Sequence, residues 1–343
     1  MGRVVDSGRF VLAEEVKAFE DAFADYLGVS HCIGVASGTD AIQLALMGLG
    51  IGDGDEVITA ANTCVPTVTA ITATGATPAL ADVDSDTLTL DPDSLGRAIT
   101  SRTRAVVPVH MYGNPCDMDA ISSVVQSQGI ALIEDCAQAH GSEYNGELCG
   151  TLSACAAFSF YPTKNIGALG DGGAVATNDS DVADRIRALR QYGREKDYEH
   201  PTVGINSRLD ELQAAVLQVK LKYVNDSWEL RRSIAEAYDN QIANEWITPV
   251  VTADWALSNH HLYVVRTPHR DALQKHLANK EIMTTVHYPT PIHAIESYPD
   301  LGAPGAFPES ERACAEVLSL PMYPGMPTSH VDTVIETINA FRP

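Results

Sequence analysis

Short apolar runs alternate with helix-period segments through the first two thirds of the chain, and this alternation constrains the fold more than any other feature. Runs at 31–36, 56–61, 77–82, 105–110, 130–135 and 173–177 are each bounded by Gly, Asp, Asn or Pro, as buried strands are. Between them, 39–49, 66–74, 93–99, 117–128 and 179–192 carry apolar residues at helical spacing. Strand-helix alternation of this kind predicts an α/β domain with a mainly parallel central sheet covered on both faces. After His200-Pro201 the pattern changes to long helices at 209–223 and 228–244, then to shorter mixed segments. The expected division is a large domain over 1–224 and a smaller C-terminal α/β domain over 225–343.

Acidic residues outnumber basic ones 45 to 23, a formal net charge of −22. Such a surface repels phosphate backbones and anionic lipid, which argues against nucleic acid and membrane surfaces as partners. A small anionic substrate remains open to it where backbone amides and a few placed cations act locally. The seven cysteines are odd in number and never spaced as CxxC, so neither a disulfide framework nor a metal site is expected. No stretch approaches the apolar length of a membrane span, and the first six residues lack signal-peptide character. A soluble, cytoplasmic protein is expected.

The run Ser159-Phe160-Tyr161-Pro162-Thr163-Lys164-Asn165-Ile166-Gly167-Ala168-Leu169-Gly170-Asp171-Gly172-Gly173 isolates one lysine in an apolar, glycine-rich setting. Flanking Phe160, Tyr161, Pro162, Ile166 and Leu169 strip water from Lys164, which favours a neutral amine able to attack a carbonyl; the alternative is an ordinary solvated lysine. Ser37-Gly38-Thr39-Asp40-Ala41 follows a predicted strand and opens a predicted helix. It reads either as a phosphate seat, built from free amides, the Thr39 hydroxyl and the helix dipole, or as a plain capped turn.

Glu134-Asp135 ends the most apolar strand, where open α/β sheets place their ligands. Asp135 there either holds a protonated ring nitrogen or caps a local turn, and His140 is expected to be structural. In Asn206-Ser207-Arg208-Leu209-Asp210, Ser207 or Asp210 is expected to cap a helix, with Arg208 a solvated charge. His287 and His293 sit on a stiff loop at a spacing unsuited to one helix face, and no further metal ligands accompany them.

A phosphate seat, a strand-end carboxylate and a desolvated lysine, in that order, match the needs of pyridoxal 5′-phosphate. The chain closely resembles the DegT/DnrJ/EryC1/StrS family of sugar aminotransferases through SGTDA at 37–41, EDCAQAHG at 134–141, SFYPTKNIGALGDGG at 159–173, GINSRLDELQAA at 204–215 and HYPTPIH at 287–293. The likeness spans almost the whole chain. It implies a type I aminotransferase fold and a homodimer with shared active sites. Under it Lys164 forms the cofactor Schiff base and shuttles protons. Asp135 pairs with the pyridine nitrogen, and Gln138 lies near the ring hydroxyl. Gly38, Thr39 and Ser159 hold the phosphate, joined by Asn206 and Arg208 from the other subunit. His287 and His293 fall near the sugar site.

The implied reaction is ping-pong transfer of an amino group from an amino acid, with L-glutamate the expected donor, to a nucleotide-linked keto sugar. The HYPxPxH form looks more like relatives acting on a 3-keto sugar. Three alternatives stand beside it: a cyclitol or other cyclic ketone acceptor, a sugar dehydratase, and a non-catalytic cofactor-binding regulator. Lys164 argues against the dehydratase, because relatives of that kind place histidine there. Two departures from the pattern are visible. Cys64 replaces an aromatic residue that stacks on the cofactor ring in many relatives, leaving sulfur to face the ring. A further segment usually precedes Val5–Val11, which puts some dimer or substrate contacts in question.

Overall fold

The computed structural model describes residues 1–196 and 198–343, and its centre is a seven-stranded sheet. The strands are β1 His31–Val35, β2 Glu56–Ala60, β3 Thr77–Ala81, β4 Thr103–Val107, β5 Ala131–Asp135, β6 Cys155–Ser159 and β7 Gly173–Thr177. Their spatial order is β1-β7-β6-β5-β4-β2-β3. All run in one direction except β7, which lies antiparallel between β1 and β6. Adjacent residues of one strand feed opposite faces, as the pleat requires. Ile133 joins a core with Val35, Leu44, Ile71 and Ile186, whereas Leu132 joins one with Ile58, Leu95 and Ile121. Each fully buried Leu, Ile or Phe contributes about 1.5–3 kcal/mol, so both faces need their helical cover.

The six predicted strands are all present. The elements not expected include the alanine-rich β6, and the helix Glu14–Leu27, whose Phe19 and Phe23 pack against Phe158 and Phe160 beneath the sheet. That helix is anchored by Glu211, which is buried and accepts the amides of Ala13 (2.6 Å), Glu15 (2.8 Å) and Val16 (3.0 Å). Part of the 204–215 motif is therefore spent on the fold. The helix predicted over 209–223 runs Glu211–Leu221, and the one predicted over 228–244 begins earlier, at Val224, and ends at Gln241.

Beyond Val224 a three-stranded antiparallel sheet, Thr248–Pro249, Tyr263–Arg266 and Val317–Leu320, packs against helices Val224–Gln241, Arg270–Ala278 and Thr328–Ala340. Tyr238, Leu273, Ile335 and Phe341 fill the space between them. Among the described residues no helix is long and apolar enough to cross a membrane.

Candidate active site

Because β1, β5 and β6 share a direction, their carboxyl ends meet at one edge of the sheet. Ser37-Gly38 lies just past β1, Asp135 ends β5, and Ser159 ends β6 and leads into the Lys164 loop. A cavity of about 390 Å³ opens there, lined by Gly38, Thr39, Cys64, Asp135, Gln138, Ser159, Lys164 and His287 among others. Eight residues singled out in the sequence, drawn from five separate segments, thus share one cavity. A second cavity of about 410 Å³, beside Asp239, His260 and Tyr263, has neither a lysine nor a helix N-terminus in its wall.

The helix Gly38–Gly48 begins at the cavity. Ser37 is its N-cap, the Asp40 amide donates to Ser37 Oγ (3.1 Å) and the Ala41 amide to Ser37 O (3.0 Å). The amides of Gly38 and Thr39 have no intrahelical carbonyl to meet and remain for an anion. Gly38 is obligatory here, since a Cβ would stand 2.5 Å from Ser159 Cβ. The turn is braced from outside by Ser207, whose hydroxyl accepts the Ala36 amide (3.0 Å) and donates to Asp40 Oδ2 (2.6 Å). Ser207 is therefore a brace, not the expected cap of the following helix. Asp210 takes the N-cap position there without a side-chain bond.

Burial pushes the Lys164 amine below its usual range, opposed by the charges of Asp135 and Cys64. The walls that strip its water differ from those expected. Phe160 and Ile166 are fully buried, but Tyr161 is 52% and Leu169 64% exposed, so the sheet edge and the loops facing it do the desolvating. Burial likewise raises the Asp135 carboxyl, opposed by the Ala137 amide on Oδ1 (3.1 Å), the Thr67 hydroxyl on Oδ2 (2.9 Å) and the Lys164 charge. Gln138 has its amide oriented by the backbone: Oε1 accepts from the Tyr112 amide (2.6 Å), which turns Nε2 toward Tyr288 Oη (3.3 Å) as a donor.

Three imidazoles surround the amine, and burial lowers all three. His140, pushed down to about 3, lies against Phe158 and Phe160 as a structural residue. His261 pairs through Nδ1 with Asn165 Oδ1 (2.8 Å), and His287 through Nδ1 with Ser319 Oγ (2.8 Å). Thr67, His261 and Tyr288 line the cavity and were missed in the sequence. Tyr288 lay within a quoted motif and Thr67 three residues beyond Cys64, whereas nothing near 261 carried a signal.

Three expected residues lie outside this cavity. His293 is buried outside the cavity, its Nε2 bonded to Glu311 (2.9 Å) and its ring against Phe307. Asn206 is exposed and Arg208 half-buried, neither in the cavity wall.

The sequence profile of the DegT/DnrJ/EryC1/StrS aminotransferase family matches residues 1–339. This chain belongs to that family. It is an aminotransferase of the α/β type expected from its motifs. It is 47% identical over 98% of its length to the erythromycin biosynthesis sensory transduction protein EryC1 of Saccharopolyspora erythraea, covering 93% of that protein. It is also 47% identical to the dTDP-3-amino-3,4,6-trideoxy-alpha-D-glucose transaminase of Streptomyces venezuelae, over 98% of this chain and 90% of the other. The crystal structure of S. venezuelae DesV in complex with a ketimine intermediate superposes with a TM-score of 0.96 at 45% identity, over 98% of this chain and 92% of that one.

Cys64 offers a direct check on the cavity of this aminotransferase. Of seven cysteines it alone is not buried, and burial raises its thiol. Iodoacetamide at mildly alkaline pH is expected to label Cys64 alone, and cofactor at ten times its dissociation constant to slow labelling roughly tenfold by mass action. Peptide mass mapping reads both; labelling of any other cysteine at a similar rate contradicts the packing described.

Proposed function

We propose that this chain binds pyridoxal 5′-phosphate and moves an amino group from L-glutamate to a nucleotide-linked keto sugar, with the ketone at C3, as a cytoplasmic homodimer. The observation that carries this reading is the convergence of a desolvated lysine, a donor-held strand-end carboxylate and a helix N-terminus in one cavity. The donor set fits the cofactor: two free amides and the hydroxyls of Thr39 and Ser159 suit a phosphate, and the missing Cβ of Gly38 gives it room. When bound, pyridoxal phosphate supplies an electrophilic carbon and a ring that draws off electrons left at a substrate carbon. Lys164 supplies an amine whose ammonium form burial disfavours, ready to bond the cofactor and, once released, to take and return a proton. Asp135 would hold a proton on the ring nitrogen, Gln138 would offer its Nε2 as a donor, and Cys64 would contribute a sulfur to the wall beside the ring. His287, steadied by Ser319, borders the sugar. The keto sugar and the C3 position rest on the likeness to the S. venezuelae transaminase and on the 287–293 segment.

The dimer is supported by what the cavity lacks. Among its described lining residues Lys164 is the lone Lys or Arg, yet glutamate and a nucleotide diphosphate both need cations. Arg208 and Asn206 lie outside their own cavity, and this reading assigns them to the cavity of a second copy. Val203, Leu169, Val219 and Tyr223, each more than half exposed, provide apolar surface of the kind subunits cover. We place the domain division at 224/225, since Val224 packs with the large core and Ile234 onward with the other.

A regulatory role is the second reading, favoured by the name of the EryC1 relative. Purified protein with the cofactor separates the two. L-glutamate is expected to abolish the visible absorbance of the bound cofactor, and a 3-keto nucleotide sugar to restore it. Absorbance indifferent to both contradicts transamination.

A further inference from the structure

Asp135 is served by a chain of hydroxyls that its expected partnership with the cofactor does not require. Thr67 Oγ1 donates to Asp135 Oδ2 at 2.9 Å, and Thr63 and Thr67 hydroxyls stand 3.0 Å apart. Both threonines are nearly inaccessible, at 1% and 2% exposure. With the Thr67 proton committed to the carboxylate, the contact between the threonines has one direction left: Thr63 donates and Thr67 accepts. The geometry comes from a helix start, since Cys64 caps helix Val65–Ala73 and Thr63 and Thr67 stand one turn apart across it. Buried hydroxyl chains polarise one another, so the last donor is stronger than a lone threonine.

We infer that Thr67, backed by Thr63, is a positioning residue that holds Asp135 ionised with Oδ2 fixed, and thereby keeps the proton of the apposed ring on its nitrogen. This rests on the cofactor reading above, but its first half concerns the protein alone. Other groups bearing on Asp135 are Lys164 and His110, which favour its charge, and Cys64 and Tyr288, whose own ionisation its charge disfavours. All four remain in place when Thr67 is changed. A hydroxyl donor lowers a carboxyl pKa, so its removal raises it. The sign is therefore fixed: without Thr67 the carboxyl takes a proton at higher pH.

The test follows the Asp135 carboxyl by ¹³C NMR in cofactor-free protein, its signal assigned by loss in Asp135→Asn. Thr67→Val is expected to raise its titration midpoint by roughly one pH unit or more, Thr67→Ser to leave it near the parent, and Thr63→Val to raise it by less. In protein carrying ¹⁵N-labelled cofactor, Thr67→Val is expected to move the ring-nitrogen signal toward its unprotonated position and Thr67→Ser to restore it. An unchanged carboxyl midpoint in Thr67→Val overturns the inference. Should Thr67→Val not fold, an unchanged midpoint in Thr63→Val does so. Failure of the parent to take up cofactor removes the cofactor reading and the ring half of the inference, while the carboxyl titration still decides the rest.

Discussion

Lys164→Ala is expected to yield a folded protein that retains no borohydride-trapped cofactor and turns over at least about 10⁴-fold more slowly. The side chain is half-buried at a cavity wall, so shortening it enlarges a space already open to water and leaves the cores intact. The loss combines two roles in one amine, covalent attachment and proton transfer, and no neighbour replaces it. His261 and His287, both lowered by burial, are tethered through Nδ1 to Asn165 and Ser319, and neither carries a primary amine to bond the cofactor. Non-covalent cofactor should still bind through the first turn of helix Gly38–Gly48. Persistence of the trapped adduct, read by mass spectrometry, eliminates the assignment of Lys164.

Asp135→Asn is the second large effect. Turnover is expected to fall about 10²–10³-fold while cofactor affinity stays within about tenfold. An amide fills the same volume; its oxygen can still accept the Ala137 amide, while its NH2 can only donate to a Thr67 hydroxyl that turns to accept, so the site keeps its shape and loses its charge. In the parent, burial favours the protonated carboxyl and the donors together with Lys164 favour the ionised form. Activity should therefore decline on the acid side as the carboxyl takes a proton, a limb that Asp135→Asn abolishes. Pre-steady-state rates close to the parent's refute an electronic role for this residue.

Much of this was legible in the sequence because the chemistry and the fold use the same signals. Glycines, strand-end acids and helix caps are local, and strands β1 to β5 are apolar enough to read directly. Strand β6 was not, since Cys-Ala-Ala-Phe-Ser has few β-branched residues and merges with the lysine loop that follows it. His293 lies outside the cavity that its motif neighbour His287 enters, and only the pairing with Glu311, eighteen residues on, shows where its ring goes. Thr67 could not be seen to matter, since its partner lies 68 positions away. The desolvation of Lys164 was correctly anticipated from the wrong neighbours, an outcome open to any argument from flanking residues alone.

The antiparallel β7 has a consequence for how such a protein matures. Its first residue, Gly173, tucks against the carbonyl of Ser37, where a Cβ would stand 2.3 Å from Ser37 O, and it separates the strand that precedes the anion cradle from the one that brings Ser159. A nascent chain emerging from the ribosome cannot hold a phosphate until that late strand has slotted between two earlier ones, a non-local closure of the slow kind. Vitamin loading is thus tied to completion of the large sheet, and a nascent chain stalled before residue 177 should be blind to the cofactor however well its early helices have formed.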